Sequence, residues 1–478
     1  MQQFSITFLP DNISVQAEAG TTILQAQIAA GLHPDAPCGG KGTCGKCKVI
    51  ISGEEVPACQ TVVDRDLTIV TEKEESEKIL TTGLAVSTIP EGKYPYVLAF
   101  DIGTTTVVAY LMDGSTGELT ATASCKNPQG QFGADVISRI EHVLQEGGNA
   151  LRDTIRETMA QLSRELCHRA GIEDTDIGAV SIVGNTAMHH LLLGIDPSPL
   201  VTPPYMPKVF EALELEAGRV RVLPNIAGFV GGDTVGCMVA TRFDQLDDIT
   251  LMIDIGTNGE MVLGSKARRI ACSTAAGPAF EGAKISCGMR GADGAVDHVW
   301  LEDGQVKYHV LGDTAPEGLC GSGLLDLVAV LLELEIIDES GYLEDKEYRL
   351  CSNVVLTQKD VREVQLAKAA IRAGIELLAE ELGIAVGDIQ KVYLAGAFGN
   401  YLTPASACRI GMIPPVLLDR IQPIGNAAGE GAKLCALNRA EYLYSQTLAK
   451  NTDFLELASL PQFQDCYVDA LEFSEEEQ

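Results

Sequence analysis

The sequence predicts an α+β multidomain chain in which a small β-rich module precedes a duplicated α/β unit. Three observations carry this. Residues 1–70 alternate apolar and polar side chains around a loop rich in glycine and cysteine. A charged, proline-bearing stretch then interrupts the pattern. Beyond it, one strand–turn–strand plan occurs twice, 153 residues apart. The 478 residues, 46% of them hydrophobic, suffice for two or three cores, and the few aromatics make those cores aliphatic. The expected divisions are a first module at 1–75, a linker at 76–95, a first lobe at 96–245 and a second lobe at 246–450. A C-terminal segment with an acidic tail fills 451–478.

In the first module, QFSITFL and ISVQA read as strands joined at PDN. TTILQAQIAAG reads as a short helix, capped by threonine and stopped by Gly31. PCGGKGTCGKC follows at 37–47, then KVIIS, VPACQT and LTIV. Cys38, Cys44, Cys47 and Cys59 have the spacing C-x5-C-x2-C-x11-C. An iron–sulfur cluster needs four thiolates converging on one small core. Gly39, Gly40, Gly42 and Gly45 let the backbone wrap that core closely. Zinc competes, but it usually shows two tight cysteine pairs, and here only one pair has that spacing. A redox dithiol would leave Cys38 and Cys59 idle, so [2Fe–2S] is the preferred reading. The β-grasp pattern with this loop resembles [2Fe–2S] ferredoxins, with one residue of difference in the first gap. That resemblance implies a one-electron carrier. The other ten of the 14 cysteines are expected to be small buried hydrophobes rather than a disulfide framework.

EKEESEK (72–78) and TIPEGKYP (88–95) mark the linker, read as solvated and able to let the first module swing. The net charge of −31 excludes nucleic acid as a partner, because an acidic surface repels phosphate. No apolar run is long enough for a membrane span and no signal region begins the chain, so a cytoplasmic protein is expected.

The repeated plan is VLAFDIGTTTVVAYL, with its loop at Asp101–Thr106, and TLMIDIGTNGEMVLG, with its loop at Asp254–Glu260. Each aspartate ends an apolar strand, where it can act in catalysis and hold Mg²⁺ through water. Gly103 and Gly256 let the backbone approach a phosphate, and Thr104, Thr105, Thr106, Thr257 and Asn258 supply donors. One such turn is an ordinary hairpin; two in matching contexts indicate duplication. A duplicated RNase H-like α/β unit with facing phosphate loops resembles the ATPase superfamily of actin, sugar kinases and heat-shock chaperones. The resemblance implies ATP and a late strand–turn–helix for adenosine, which VYLAGAFGNYL supplies with Gly396 and Gly399. Asp233, opening a helix after GG, either orients a water against the γ-phosphate or caps that helix. In SIVGNTAMHHLLLG, Gly184, Asn185 and Thr186 are placed to face a nucleotide or partner, while His189 and His190 belong to packing.

Taken together, NPQGQFGADVISRIEH, VGNTAMHHLLLG, PNIAGFVGGD, ACSTAAGPAFEGAKISCGMRGADGAV, GLCGSGLLD, LAGAFGNYL and the loops above make the chain resemble ATP-dependent reductive activators of corrinoid proteins. The resemblance covers almost the whole length. It implies delivery of one electron from a [2Fe–2S] cluster to Co(II), regenerating Co(I) for methyl transfer. It implies as partners a corrinoid protein of a methyltransferase system and an upstream electron donor, and it is compatible with a homodimer. Ser286 becomes the candidate corrinoid contact. The short linker implies that an extra middle domain of some members is missing. Two alternatives stand beside this reading. One is an ATP-driven activator of a radical dehydratase or CoA-ester reductase, against which the four-cysteine module speaks. The other is a small-molecule kinase with a metal-bearing regulatory module.

Overall fold

The computed structural model describes residues 2–10, 12–32, 34, 36, 40, 42, 47–71, 79–256, 258–282 and 284–473. Cys38, Cys44, Thr257 and the charge run at 72–78 lie outside them.

The first module is a mixed sheet with one helix. Its elements are β1 (Gln3–Leu9), β2 (Ile13–Glu18), α1 (Ile23–Ala29), β3 (Lys48–Ile51), β4 (Glu54–Pro57) and β5 (Leu67–Thr71). The strand order is β2-β1-β5-β3-β4, with β1 and β5 parallel at the centre. Ile6, Phe8 and Ile69 point inward at alternate positions and pack with Ile23, Leu24 and Ala26 of α1, as the period of two requires. Thr22 caps α1 as predicted: its hydroxyl accepts the Gln25 N–H at 3.2 Å and the Gln25 side chain returns the bond at 3.0 Å.

The first lobe opens with the antiparallel strands β6 (Tyr96–Ile102), β7 (Thr106–Asp113) and β8 (Leu119–Lys126). The helices α2 (Val136–Glu146) and α3 (Asn149–Ala170) follow, then β9 (Ile177–Gly184), α4 (Thr186–Leu193), β10 (Leu213–Leu215) and β11 (Val220–Val222). The sheet order is β10-β11-β9-β6-β7-β8, with β9 parallel to β6 and β11 parallel to β9. The helix α5 (Gly232–Thr241) closes the lobe.

The second lobe repeats this plan. The strands β12 (Thr250–Ile255), β13 (Gly259–Gly264) and β14 (Arg269–Thr274) are antiparallel. An insertion carries β15 (Ala295–Glu302), β16 (Gln305–Val310), β17 (Gly318–Leu319), α6 (Gly321–Glu333), β18 (Glu347–Arg349) and β19 (Val355–Thr357). The long α7 (Gln358–Leu382) leads to β20 (Lys391–Ala395), α8 (Gly396–Tyr401), α9 (Pro404–Arg409) and β21 (Ile421–Gly425). β20 lies parallel to β12 and β21 parallel to β20, as β9 and β11 do in the first lobe. The helices α10 (Ala427–Leu437) and α11 (Arg439–Lys450) follow; β22 (Asp453–Phe454) then joins β14, and α12 (Phe463–Asp469) packs on α7.

Both central strands are buried on both faces, which explains their unbroken apolar runs. Leu98, Phe100 and Ile102 face the core under α2–α4, while Val97 and Ala99 face the opposite core. Leu251, Ile253 and Ile255 likewise face α6 and α7, while Met252 turns toward α5 and α10. One core between the lobes is thus shared by both sheets. Within the second-lobe range, α10 packs on β6, β9 and α5 of the first lobe. The two helices cross at glycine. A side chain on Gly431 would stand 2.0 Å from the Gly236 carbonyl oxygen, so only glycine permits the approach.

The linker differs from its expected form past residue 78. Ile79, Leu84 and Val86 pack against the interlobe core. Gly83 pairs with Gly425 and donates its N–H to Glu430 at 3.1 Å, and the Thr88 hydroxyl donates to Glu441 at 2.8 Å. Apolar residues inside a polar stretch made this docking possible. Of the ten scattered cysteines, six are buried, while Cys125, Cys287, Cys351 and Cys466 are partly exposed. Among the described residues no helix is long and apolar enough to cross a membrane.

Candidate functional site

The duplication brings the two DIGT turns to the same end of their sheets. Asp101 and Asp254 are each the next-to-last residue of a central strand, β6 and β12. Asp233, in the first turn of α5, and Glu260, the cross-strand partner of Asp254, complete a group of four carboxylates.

The electrostatics of these four acids are coupled. Burial raises Asp101 to about 6, partly offset by the Asn426 amide, which donates to its Oδ2 at 2.7 Å. Burial and the Asp101 charge raise Asp233 to about 6, against the pull of the Thr234 N–H at 2.7 Å. Burial, then Asp233 and Asp101, raises Asp254 to about 7. Burial, then Asp233 and Asp254, holds Glu260 well above the usual carboxylate range. Every opposing influence on the four is a hydrogen bond from a neutral group. Such a group of acids calls for a cation. Among the described residues no three His, Cys, Asp or Glu side chains converge closely enough to hold a metal directly.

The first loop is braced from several distant elements. Gly103 N–H donates to the Thr106 carbonyl at 2.9 Å, closing the turn. The Asn127 amide donates to the Gly103 carbonyl at 2.8 Å, and the Asn127 N–H to the Thr105 carbonyl at 2.8 Å. Arg139, buried under the loop, donates to the Thr104 carbonyl at 2.6 Å, and burial pulls its guanidinium down to about 10. Asn185, the N-cap of α4, donates to the Thr104 hydroxyl at 2.9 Å. The Thr105 hydroxyl donates to Glu281 of the other lobe at 3.1 Å.

In the second loop the Gly256 N–H donates to the Asn258 carbonyl at 2.9 Å, and the Asn258 side chain bonds Glu260. Gly396 begins α8 beside it with φ +80°, and a side chain there would stand 2.5 Å from Asp254 Oδ1. Gly399, also in α8, is buried against Leu394 of the preceding strand β20. Gly184 fits tightly against the Ile102 carbonyl, and Thr186 donates to the Ala227 carbonyl at 2.8 Å.

His190 bonds the Thr186 carbonyl through Nδ1 at 2.7 Å and accepts the Lys208 N–H at Nε2 at 3.1 Å, the packing role expected of it. His189 is buried beside it, and burial drives its ring down to about 3, a neutral core residue. Ser286 is exposed and fastened to the start of α7: its N–H donates to Asp360 at 2.7 Å and its hydroxyl lies 3.2 Å from that of Thr357.

In the first module, Cys47 and Cys59 are both buried. The Ala58 N–H donates to the Cys47 carbonyl at 2.7 Å, and the Gln60 amide lies 3.7 Å from Cys59 Sγ as a donor. Gly42 lies so close over Gln60 that a side chain there would approach within 2.7 Å. Two buried thiols, one with an amide aimed at its sulfur, fit a cluster held by thiolates.

Sequence reasoning missed Glu260, Asn127, Arg139, Asn426 and Glu281. Glu260 had a signal, since it stands opposite Asp254 in any hairpin register.

Comparison with known proteins agrees with this layout. Residues 248–478 match the family described as the C-terminal domain of RACo, the ASKHA domain, and residues 96–246 match the RACo middle region. Residues 6–76 match the 2Fe-2S iron–sulfur cluster binding domain. The middle region under that description is present as the first lobe, contrary to the expectation of a missing middle domain. The corrinoid activation enzyme RamQ of Eubacterium limosum is 37% identical over 414 residues, covering 78% of this chain and 69% of that protein. The [Co(II) methylated amine-specific corrinoid protein] reductase of Methanosarcina barkeri is 26% identical over 421 residues, covering 79% and 77%. A solved reductive activator for corrinoid, iron–sulfur protein aligns over 98% of both chains with 30% identity and a TM-score of 0.70.

Proposed function

The chain belongs to the family of reductive activators of corrinoid proteins, and from that premise we propose that it uses ATP to drive a one-electron reduction of a corrinoid protein from Co(II) to Co(I). The single observation that carries the reading is the pairing of two DIGT loops around four raised carboxylates in a chain with a cysteine module. A kinase has no use for such a module, and an electron carrier has none for the paired loops.

Cys38, Cys44, Cys47 and Cys59 would hold the [2Fe–2S] cluster, which supplies one electron at a time. Asp101 and Asp254 would hold Mg²⁺ through water, and the loop N–H groups with Thr104, Thr105, Thr106, Thr257 and Asn258 would receive phosphate oxygens. Gly396 leaves room for nucleotide beside Asp254. Asp233 would accept a hydrogen bond from the attacking water, ready to take its proton as the γ-phosphate leaves. ATP hydrolysis and electron transfer are separate reactions, coupled because docking and release of the partner depend on the nucleotide.

We place the enzyme in the cytoplasm, serving a corrinoid protein of a methyltransferase system and reduced by an upstream donor. Ser286 is the proposed corrinoid contact; unchanged cobalt spectra of the complex after Ser286→Ala would remove it. To test the whole reading, the protein is purified anaerobically, its [2Fe–2S] spectrum recorded, and Co(II) reduction followed in candidate corrinoid proteins with and without Mg-ATP. Light scattering of the same sample distinguishes monomer from homodimer. ATP-dependent appearance of Co(I) is expected. Its absence with every candidate would overturn the reading.

A further inference from the structure

Glu281 reaches across the cleft. It belongs to the second lobe, yet its carboxylate accepts the Thr105 hydroxyl of the first loop at 3.1 Å. The contact is set up by a short turn, residues 278–281, which starts at Pro278 and ends at Gly282 with φ +77°. That turn is held firmly. Phe280 stacks on Phe398 of α8, ring centroids 4.9 Å apart and planes within 1°. Gly282 is pressed on the Met289 backbone, where a side chain would approach within 2.4 Å. The chain then runs through Ser286, bonded to Asp360, to Gly288, which bridges to Leu319. Arg290, at the far end, lines an open cavity together with Thr104 and Thr105. The arm from 278 to 290 therefore meets the first loop at both its ends.

The Thr105 hydroxyl is the group that a nucleotide phosphate would use, and a carboxylate oxygen accepts a hydroxyl proton as a phosphate oxygen does. Two anions cannot share that donor. Resting on the functional reading above, we infer that Glu281 occupies the place of a nucleotide phosphate at Thr105, so that nucleotide entry displaces the carboxylate and with it the arm carrying Ser286. The same arm brings Arg290 to the cavity, where its charge complements a phosphate. The nucleotide site and the exposed surface at Ser286 are then two ends of one arm, and the Glu281–Thr105 hydrogen bond is the contact that a phosphate would replace.

The test uses the full-length holoprotein and Mg-ATP binding measured by calorimetry. Removing the competitor tightens binding, so Glu281→Ala should lower Kd about fivefold, the equivalent of one hydrogen bond. Glu281→Gln, which keeps shape and a weaker contact, should fall between the two and guards against a folding defect. Deuterium uptake across 284–291 should rise on adding nucleotide to the wild type, and should already be high in Glu281→Ala without it. Unchanged or weaker binding in both variants overturns the inference. So does turnover lost at unchanged affinity, which would make Glu281 a catalytic base instead. Wild-type protein that binds no Mg-ATP overturns the functional reading together with this one. Wild-type binding with no tightening in the variants overturns this one alone.

Discussion

The two DIGT loops share a sequence plan and differ in how they are held. Around the first, Asn127, Arg139, Asn185, Glu281 and Asn426 bind its backbone, its hydroxyls and its aspartate. At the second, the Gly256 N–H donates to the Asn258 carbonyl, and the glycine that opens α8 lies close against Asp254. The aspartates differ as well: burial raises both, a donated hydrogen bond limits Asp101 to about 6, and the charges of Asp233 and Asp101 add to burial to bring Asp254 to about 7. The two loops keep the same strand and turn, while the groups around them set their aspartates apart.

Breaking the second loop should have the largest effect. Asp254→Asn is expected to lower ATP hydrolysis by about a hundredfold or more, as loss of a charge that holds the metal does. It should also stabilise the metal-free protein at pH 8 by roughly 1–2 kcal/mol, since an ionised carboxylate is removed from a poorly solvated site. Asp101→Asn should stabilise less, because Asn426 already favours the charged form. Parallel melting curves without Mg²⁺ decide the order of the two.

Breaking the brace under the first loop comes next. Arg139→Ala leaves the Thr104 and Gly133 carbonyls without their donor and opens a void, at a cost of about 3 kcal/mol by denaturant titration. Nucleotide affinity should weaken about tenfold through Thr104, an effect with no counterpart at the second loop.

The smallest effect is on pH dependence. Asp101, Asp233 and Asp254 sit above their unfolded values of about 3.9, so ionising them opposes folding. Their contribution to stability is complete below that value and is lost as pH rises through about 6 and then about 7. The metal-free melting temperature should therefore fall between pH 5.5 and 8, by about 2 °C in a chain of this size. Stabilisation by Mg²⁺ should grow over the same window. A metal-free melting temperature flat across it would show that the four acids are better solvated than their placement indicates.

The strands, both DIGT turns and the capped helix of the first module were legible because each is written in consecutive residues. Asp101, Asp254 and Asp233 were singled out for that reason, and the fold gathers them as one group of buried acids. Asn426 and Glu281 were not, since they reach the first loop from 325 and 176 residues away and nothing local distinguishes them. Arg139 sits in a stretch recognised only by its resemblance, and its burial depends on carbonyls that the fold brings to it. The placement of α10 was hidden for the same physical reason: chain order puts it in one repeat, while its small residues fit the other. Gly399, read from sequence as a nucleotide-site glycine, packs against Leu394 of the preceding strand β20.

The docked segment that begins at Ile79 changes how the two halves of the molecule can act on each other. The Thr82 carbonyl accepts the Asn426 N–H at 2.9 Å, and the Asn426 amide donates to Asp101 at 2.7 Å. The leash of the cysteine module is therefore knotted to the residue that steadies the first aspartate. Tension drawn along that leash would reach Asp101 through a single intervening residue, so the anchor of the cysteine module and the first aspartate share one support.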